Sequence, residues 1–233
     1  MRLQLIAALV LLSSPGRADP SAEASIRVYA DDDDMTVVSP SARAEVDVGA
    51  TTLEAGMTAD VVSGASIDVV TSASPTAISE RRVELGLGAT RAIARAPALT
   101  LSSSLHGSFE ADHEAFRAEG GVRVELHGRQ LALEARYTGG RDAIGTVVDP
   151  AFERTRVLHQ VTATASVILD PRTIVDVIAE GARSRGYHAS PYRRVPLVDP
   201  AWPTPMWLAE EVPALRRSVA GAARLRRALG ADW

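Results

Sequence analysis

The chain has 233 residues, a formal net charge of −4 and only 4% aromatic residues. The mild negative balance excludes a strongly basic surface, so no nucleic-acid partner is expected. There is no cysteine, hence no lipoprotein anchor, disulfide or thiolate metal site, and all 25 basic residues are Arg.

Residues 1–18 read as a secretory signal peptide. Arg2 opens a short positive region, Leu3 to Leu12 is apolar, and Ala18 offers a small cleavage residue before Asp19. The apolar run is too short to span a membrane as a helix, and no later stretch approaches eighteen apolar residues. Residues 19–233 then suit one all-β domain.

From there the chain repeats one pattern, apolar and polar residues in alternation, broken by turn residues. The first such segment is Ala24 to Tyr29, followed by the acidic run Asp31 to Asp34. The second runs from about Met35 to Val48, and Gly49–Ala50 make a tight turn into a third that reaches about Val62. A polar loop, Ser63 to Glu80, precedes the fourth, which carries Val83, Leu85, Leu87 and Ala89. The fifth carries Leu99, Leu101, Leu105 and Phe109. The sixth, Phe116 to His127, is the clearest: Phe116, Ala118, Val122, Val124 and Leu126 on one side, Arg117, Glu119, Arg123 and Glu125 on the other. His127–Gly128–Arg129 turns into the seventh, with Leu131, Leu133, Ala135 and Tyr137. After a loop from Gly139 to Glu153 comes the eighth, with Val161, Ala163, Ala165, Val167 and Leu169. Asp170–Pro171–Arg172 is a turn with Pro pre-setting φ, and the ninth carries Val175, Val177 and Ala179. A Pro-rich stretch, Tyr187 to Pro213, leads to a tenth segment at about Arg216 to Gly230. Its alternation suits a strand, but Leu215, Val219, Ala222 and Ala223 also sit at helical spacing.

Period-two alternation places one side chain per face of a strand, so these are strands with one oily and one wet side. About ten residues is the length a tilted strand needs to cross a bilayer. The turns near Gly49, Arg95, Gly128 and Pro171 are short, whereas Ser63–Glu80, Gly139–Glu153 and Tyr187–Pro213 are long. Short turns at one end and long loops at the other are the rhythm of outer-membrane barrels. The expected fold is therefore an all-β, antiparallel up-and-down transmembrane barrel of about ten strands in the outer membrane. Outer-membrane lipid and the barrel-assembly machinery would be its partners. The other architecture open to such strands is a soluble, secreted β-sandwich used for binding, with the apolar faces meeting as a core.

Three blocks carry a resemblance: VYADDDDMTVVSP from Val28 to Pro40, DVVSGASIDVVTSASP from Asp60 to Pro75, and GYHASPYRRVPL from Gly186 to Leu197. In order and content they resemble an uncharacterised family of outer-membrane β-barrels, domain-of-unknown-function family 3570. The resemblance spans most of the chain and implies a barrel and an outer-membrane location, but no activity. Members of that family are longer and continue with further strands, so the resemblance also allows an incomplete barrel.

Few residues invite chemistry, and no catalytic or cofactor-binding set is expected. Asp31, Asp32, Asp33 and Asp34 could hold calcium through carboxylate oxygens, with Asp60 and Asp68 as further partners implied by the family. No D-x-D-x-D-G loop is present, and a solvated acidic loop is the plainer reading. Ser63-Gly64-Ala65-Ser66 lacks the glycine two residues after Ser66 that a nucleophile elbow requires. The five histidines, His106, His113, His127, His159 and His188, show no metal-ligand spacing. What remains is the charged wet face: Arg117, Glu119, Arg123, Glu125, Glu134 and Arg136 are expected to point into a lumen. There they would line a pore for a small-molecule cargo or plug the interior with salt bridges. The Trp202 to Trp207 stretch could fold inward, lie outside, or stay disordered.

Overall fold

The computed structural model describes residues 20–30, 36–64, 78–94, 98–198, 204 and 206–228. The expectations for residues 1–18, Asp31 to Asp34, Ser66, Asp68 and Trp202 fall outside these residues.

Among the described residues twelve strands follow one another: β1 (Ser21–Ala30), β2 (Thr36–Val48), β3 (Thr51–Gly64), β4 (Ile78–Ile93), β5 (Ala98–Phe109), β6 (His113–Leu126), β7 (Leu131–Ile144), β8 (Arg154–Asp170), β9 (Thr173–Gly186), β10 (Arg194–Leu197), β11 (Met206–Ala209) and β12 (Leu215–Arg227). Ten of them form one antiparallel up-and-down sheet in the order β1 to β9, then β12, while β10 and β11 make a separate hairpin. The sheet is open: β1 and β12 are its two free edges. A single turn of 3-10 helix, His127–Arg129, joins β6 to β7. No helix of the described residues is long and apolar enough to cross a membrane, which says nothing about strands.

The ten strands of the sheet form where the alternation predicts them, with three adjustments, whereas β10 and β11 lie within the Pro-rich Tyr187–Pro213 stretch, where the sequence predicts no strand. Strand β7 continues through Ile144, so residues 139–144 belong to the sheet rather than to a loop. Strands β3 and β4 likewise extend into the ends of the Ser63–Glu80 segment. The ambiguous last segment is a strand, β12, in register with β9 from Leu215↔Arg185 to Arg227↔Thr173. The free edge of β9 offers a row of backbone donors and acceptors that a helix would leave unmet.

All connections at one end of the sheet are short, as at Gly49–Ala50, whose Gly49 has φ +65, a conformation that glycine adopts without strain. Strands β3, β7 and β9 end at the opposite end of the sheet, where the longer connections to β4, β8 and β12 begin.

There is almost no conventional core. Among the described residues Ala132 is the one buried hydrophobic residue, while Asp142, Thr173 and Asp176 are the buried polar ones. Soluble domains bury apolar side chains and expose charged ones. Strand β6 inverts this: Phe116 is 53% exposed, whereas the Arg117 side chain between it and Ala118 is 25% exposed.

Candidate functional site: one ionic face and one apolar face

Register fixes which side chains share a face, because cross-strand partners point the same way. Arg117↔Gly140, Glu119↔Thr138, Gly121↔Arg136, Arg123↔Glu134 and Glu125↔Ala132 pair β6 with β7 on the wet face. All six charged residues expected there are brought together. Arg136 bonds Glu134 and lies 3.2 Å from Glu119. Thr138 donates to Glu119 at 3.1 Å. Arg123 approaches Glu125 at 3.4 Å and Glu134 at 3.6 Å.

The same network reaches beyond those six. Arg43 meets Glu54 at 2.7 Å across β2–β3, and Arg82 meets Asp60 at 2.7 Å across β3–β4. Arg226 meets Asp176 at 2.9 Å across β12–β9. Its tightest knot is Asp142 on β7, whose side chain is 1% exposed. One carboxylate oxygen lies 2.5 Å from Arg117 of β6, and the other accepts from Arg156 of β8 at 2.5 Å. Glycine makes room for it: a Cβ at Gly140 would collide with the Arg117 side chain as it crosses toward Asp142. Placing residues 139–153 in a loop hid Asp142. Carrying the parity of Glu134, Arg136 and Thr138 onward would have put Asp142 on the charged face.

The wet face is concave. Polar residues from β1 through β7, among them Arg27, Arg43, Glu54, Ser104, His106 and Arg136, line a trough of about 910 Å³. Among the described residues no group of three or more His, Cys, Asp or Glu could hold a metal ion. His106 lies in this trough, 3.2 Å from Ser104. His159 lies on the opposite face, where Tyr137 and its Nδ1 are 2.6 Å apart.

The opposite face is apolar and open to its surroundings: Leu53, Met57, Leu87, Leu105, Val161, Val177 and Val219 are all exposed. Its charges lie only at its margins. On β4 the outward charges are Arg81 and Arg91, with Val83, Leu85, Leu87 and Ala89 between them. On β12 they are Arg217 and Arg227, with Val219, Gly221, Ala223 and Leu225 between them.

These margins slope across the sheet. The register row through Arg91 runs Leu101, Val122, Ala135, Ala163, Ala179 and Gly221, and Arg227 lies six residues past Gly221 after six strand steps. The row through Arg217 runs Arg183, His159, Gly139, Ala118, Leu105 and Leu87, and Arg81 lies six residues past Leu87. On that same side Glu114 lies four residues past Ala118 at the fourth step, and Arg141 two past Gly139 at the third. The charged margins thus drift by about one residue per strand.

At the long-connection end, side chains tie the loops together. Tyr192 donates to Asp112, and the Val147 N–H donates to Tyr192 Oη at 3.0 Å. Phe152 and Tyr187 meet edge to face. The Ser190 N–H donates to Glu210 at 3.0 Å, and Arg193 pairs with Glu210 at 3.2 Å. The Ser190 hydrogen bond, helped by Arg193, holds the Glu210 carboxyl below its ordinary pKa.

In comparison with known proteins, no family model and no curated protein matches this chain.

Proposed function

We propose that this chain forms the wall of an outer-membrane β-barrel, with its apolar face in lipid and its ionic face toward a narrow interior, and that it carries no catalytic chemistry. The sloping charged margins carry this reading. Arg81 and Arg91, like Arg217 and Arg227, are ten residues apart, or about 33 Å along a strand. A drift of one residue per strand, with a rise of about 3.3 Å and strands about 4.8 Å apart, corresponds to a tilt of about 35°. Tilted so, the uncharged band is about 27 Å tall, close to the roughly 25 Å apolar band of outer-membrane barrels, whose strands tilt about 35–45°. The margin spacing along the strand and the slope across the strands together fit one membrane geometry.

The free edges bear on this reading, because lipid does not tolerate unpaired backbone groups. Strand β1 runs from the short-turn end and β12 returns to it, so the two edges are antiparallel and can pair. Continuing the same drift by one step sets Ala24 opposite Leu225 and Glu23 opposite Arg226. A ten-stranded barrel is narrow and largely filled by its own side chains. The cross-paired arginines and carboxylates therefore support a structural or narrowly conducting wall over a wide channel. The resemblance to outer-membrane barrels of family 3570 points the same way. A secreted β-sandwich would need its apolar face covered, and nothing among the described residues covers it.

The test is fractionation of the expressed protein combined with gel mobility before and after heating. The expected result is recovery with outer membranes and a heat-dependent mobility shift. A native, monodisperse protein in water without detergent would overturn the proposal. Reconstituted in planar bilayers, the wild-type chain should show no large steady conductance.

A further inference from the structure

Many wet-face arginines meet a carboxylate, although Arg27, Arg216 and Arg224 do not; among the described residues the outward arginines meet none. Arg43, Arg82, Arg117, Arg136, Arg156 and Arg226 each meet a carboxylate. On the outward face, Arg141, Arg183, Arg185 and Arg217 cluster at the long-connection end of β7, β9 and β12, all exposed. Among the described residues none of these four side chains has an ion-pair partner. The nearest outward carboxylate, Glu114, stands diagonal to Arg141 through the Phe116↔Arg141 pair and does not engage it.

Their arrangement is costly when left alone. Arg183 sits directly opposite Arg217 in the β9–β12 register. Like charges so placed, with Cβ atoms about 5 Å apart, repel. Arg185 follows Arg183 on the same face about 7 Å along the strand, and Arg141 stands two strands away from Arg185, about 10 Å. In the row Arg141, Val157, Arg185, Leu215 the cations alternate with apolar residues. Immediately toward the band centre lie Tyr137, Val161, Gly181 and Val219.

We infer that this cluster is a docking surface for phosphorylated lipid headgroups of the leaflet at the long-connection side. The inference rests on the membrane reading above. Four guanidiniums without ion-pair partners, carried on three strands whose outermost members stand about 16 Å apart by strand spacing and rise, each able to fork onto a phosphate, suit a headgroup carrying two phosphates. The exposed Val161 and Val219 below them suit its acyl chains. Anionic charge between Arg183 and Arg217 turns their repulsion into a bridge. The cluster lies on the sloping margin where the uncharged band ends, which is headgroup depth.

The experiment compares binding of a diphosphorylated glycolipid, its dephosphorylated form and inorganic phosphate to the refolded full chain in detergent, by native mass spectrometry. The wild type should prefer the diphosphorylated lipid. Arg183→Gln with Arg217→Gln should weaken that preference on the order of tenfold. Arg91→Gln with Arg227→Gln, at the opposite margin, should not. Heat-modifiability of all variants confirms that each is assembled. An assembled double variant with unchanged lipid preference overturns the inference alone, as does equal retention of the dephosphorylated lipid. Full competition by inorganic phosphate overturns it in favour of a free-anion site. Native recovery in water without detergent overturns the membrane reading and this inference with it.

Discussion

Tyr192 donates its phenolic hydrogen to Asp112, a residue 80 positions earlier. The contact fastens the connection after β9 to the turn between β5 and β6. Because Tyr192 also accepts from the Val147 N–H, three connections meet at one hydroxyl.

Tyr192→Phe should leave the sheet intact and loosen this end. The loss of the bond to Asp112 should cost about 1–2 kcal/mol locally. Limited proteolysis reads it: cleavage within residues 187–198 should quicken, while strand-derived fragments stay protected. Unchanged cleavage would show that the hydroxyl does not hold the loops.

Asp142→Ala should be the most damaging change on the ionic face. It leaves Arg117 and Arg156 without their shared carboxylate. Breaking a buried pair costs about 3–5 kcal/mol, and the partial exposure of both arginines places this case near 3 kcal/mol. Arg43→Gln, in a pair with side chains 57% and 44% exposed, should cost under about 1 kcal/mol. Urea midpoints of the refolded variants compare the two; equal midpoints would remove Asp142 from its central place.

Val122→Arg and Arg123→Val differ by one position and by face. A charge in the outward band costs about 2–4 kcal/mol at a bilayer midplane and less toward the margins; Val122→Arg, one outward position inside the margin, should cost about 1–2 kcal/mol and lower the assembled fraction. Arg123→Val removes one member of a partly exposed ion-pair set and should assemble. The measurement is the folded fraction on unheated gels. Equal tolerance at both sites would count against a lipid-facing surface.

Because the chain has no cysteine, closure of the sheet can be read directly. Ala24→Cys with Leu225→Cys should cross-link within one chain on mild oxidation if β1 pairs with β12 in the extrapolated register. Ala24→Cys with Val219→Cys, six residues off register, should not. Cross-links only between chains would mean that the edges meet a second copy instead.

The depressed pKa of Glu210 implies a pH dependence of the loop assembly. Its stabilising contribution is complete above the ordinary glutamate value of 4.5 and is lost as pH falls through the lowered folded value. Proteolysis between residues 187 and 213 should therefore be flat from pH 7 to 5 and rise only below about 4.5. Glu210→Gln should abolish that acid step and quicken cleavage at neutral pH. An unchanged acid step in this variant would assign the step to another group.

Much of this architecture was legible in the chain because period-two alternation is a local property. Phe116 to Leu126 announces both its strand and its two faces without any partner. The charges Arg117, Glu119, Arg123, Glu125, Glu134 and Arg136 could be placed on one side by counting. Three matters required the tertiary structure. Residues 216–227 satisfy both helix and strand patterns, and only the open edge of β9 decides for the strand. Asp142 reads as a loop residue until Arg117 and Arg156 close on it from strands to either side. The sloping margins joining Arg81, Glu114, Arg141 and Arg217 lie 136 residues apart in sequence at their extremes. Alternation assigns a side chain to a face, but height on that face depends on register between strands, and register is set by hydrogen bonds between distant segments.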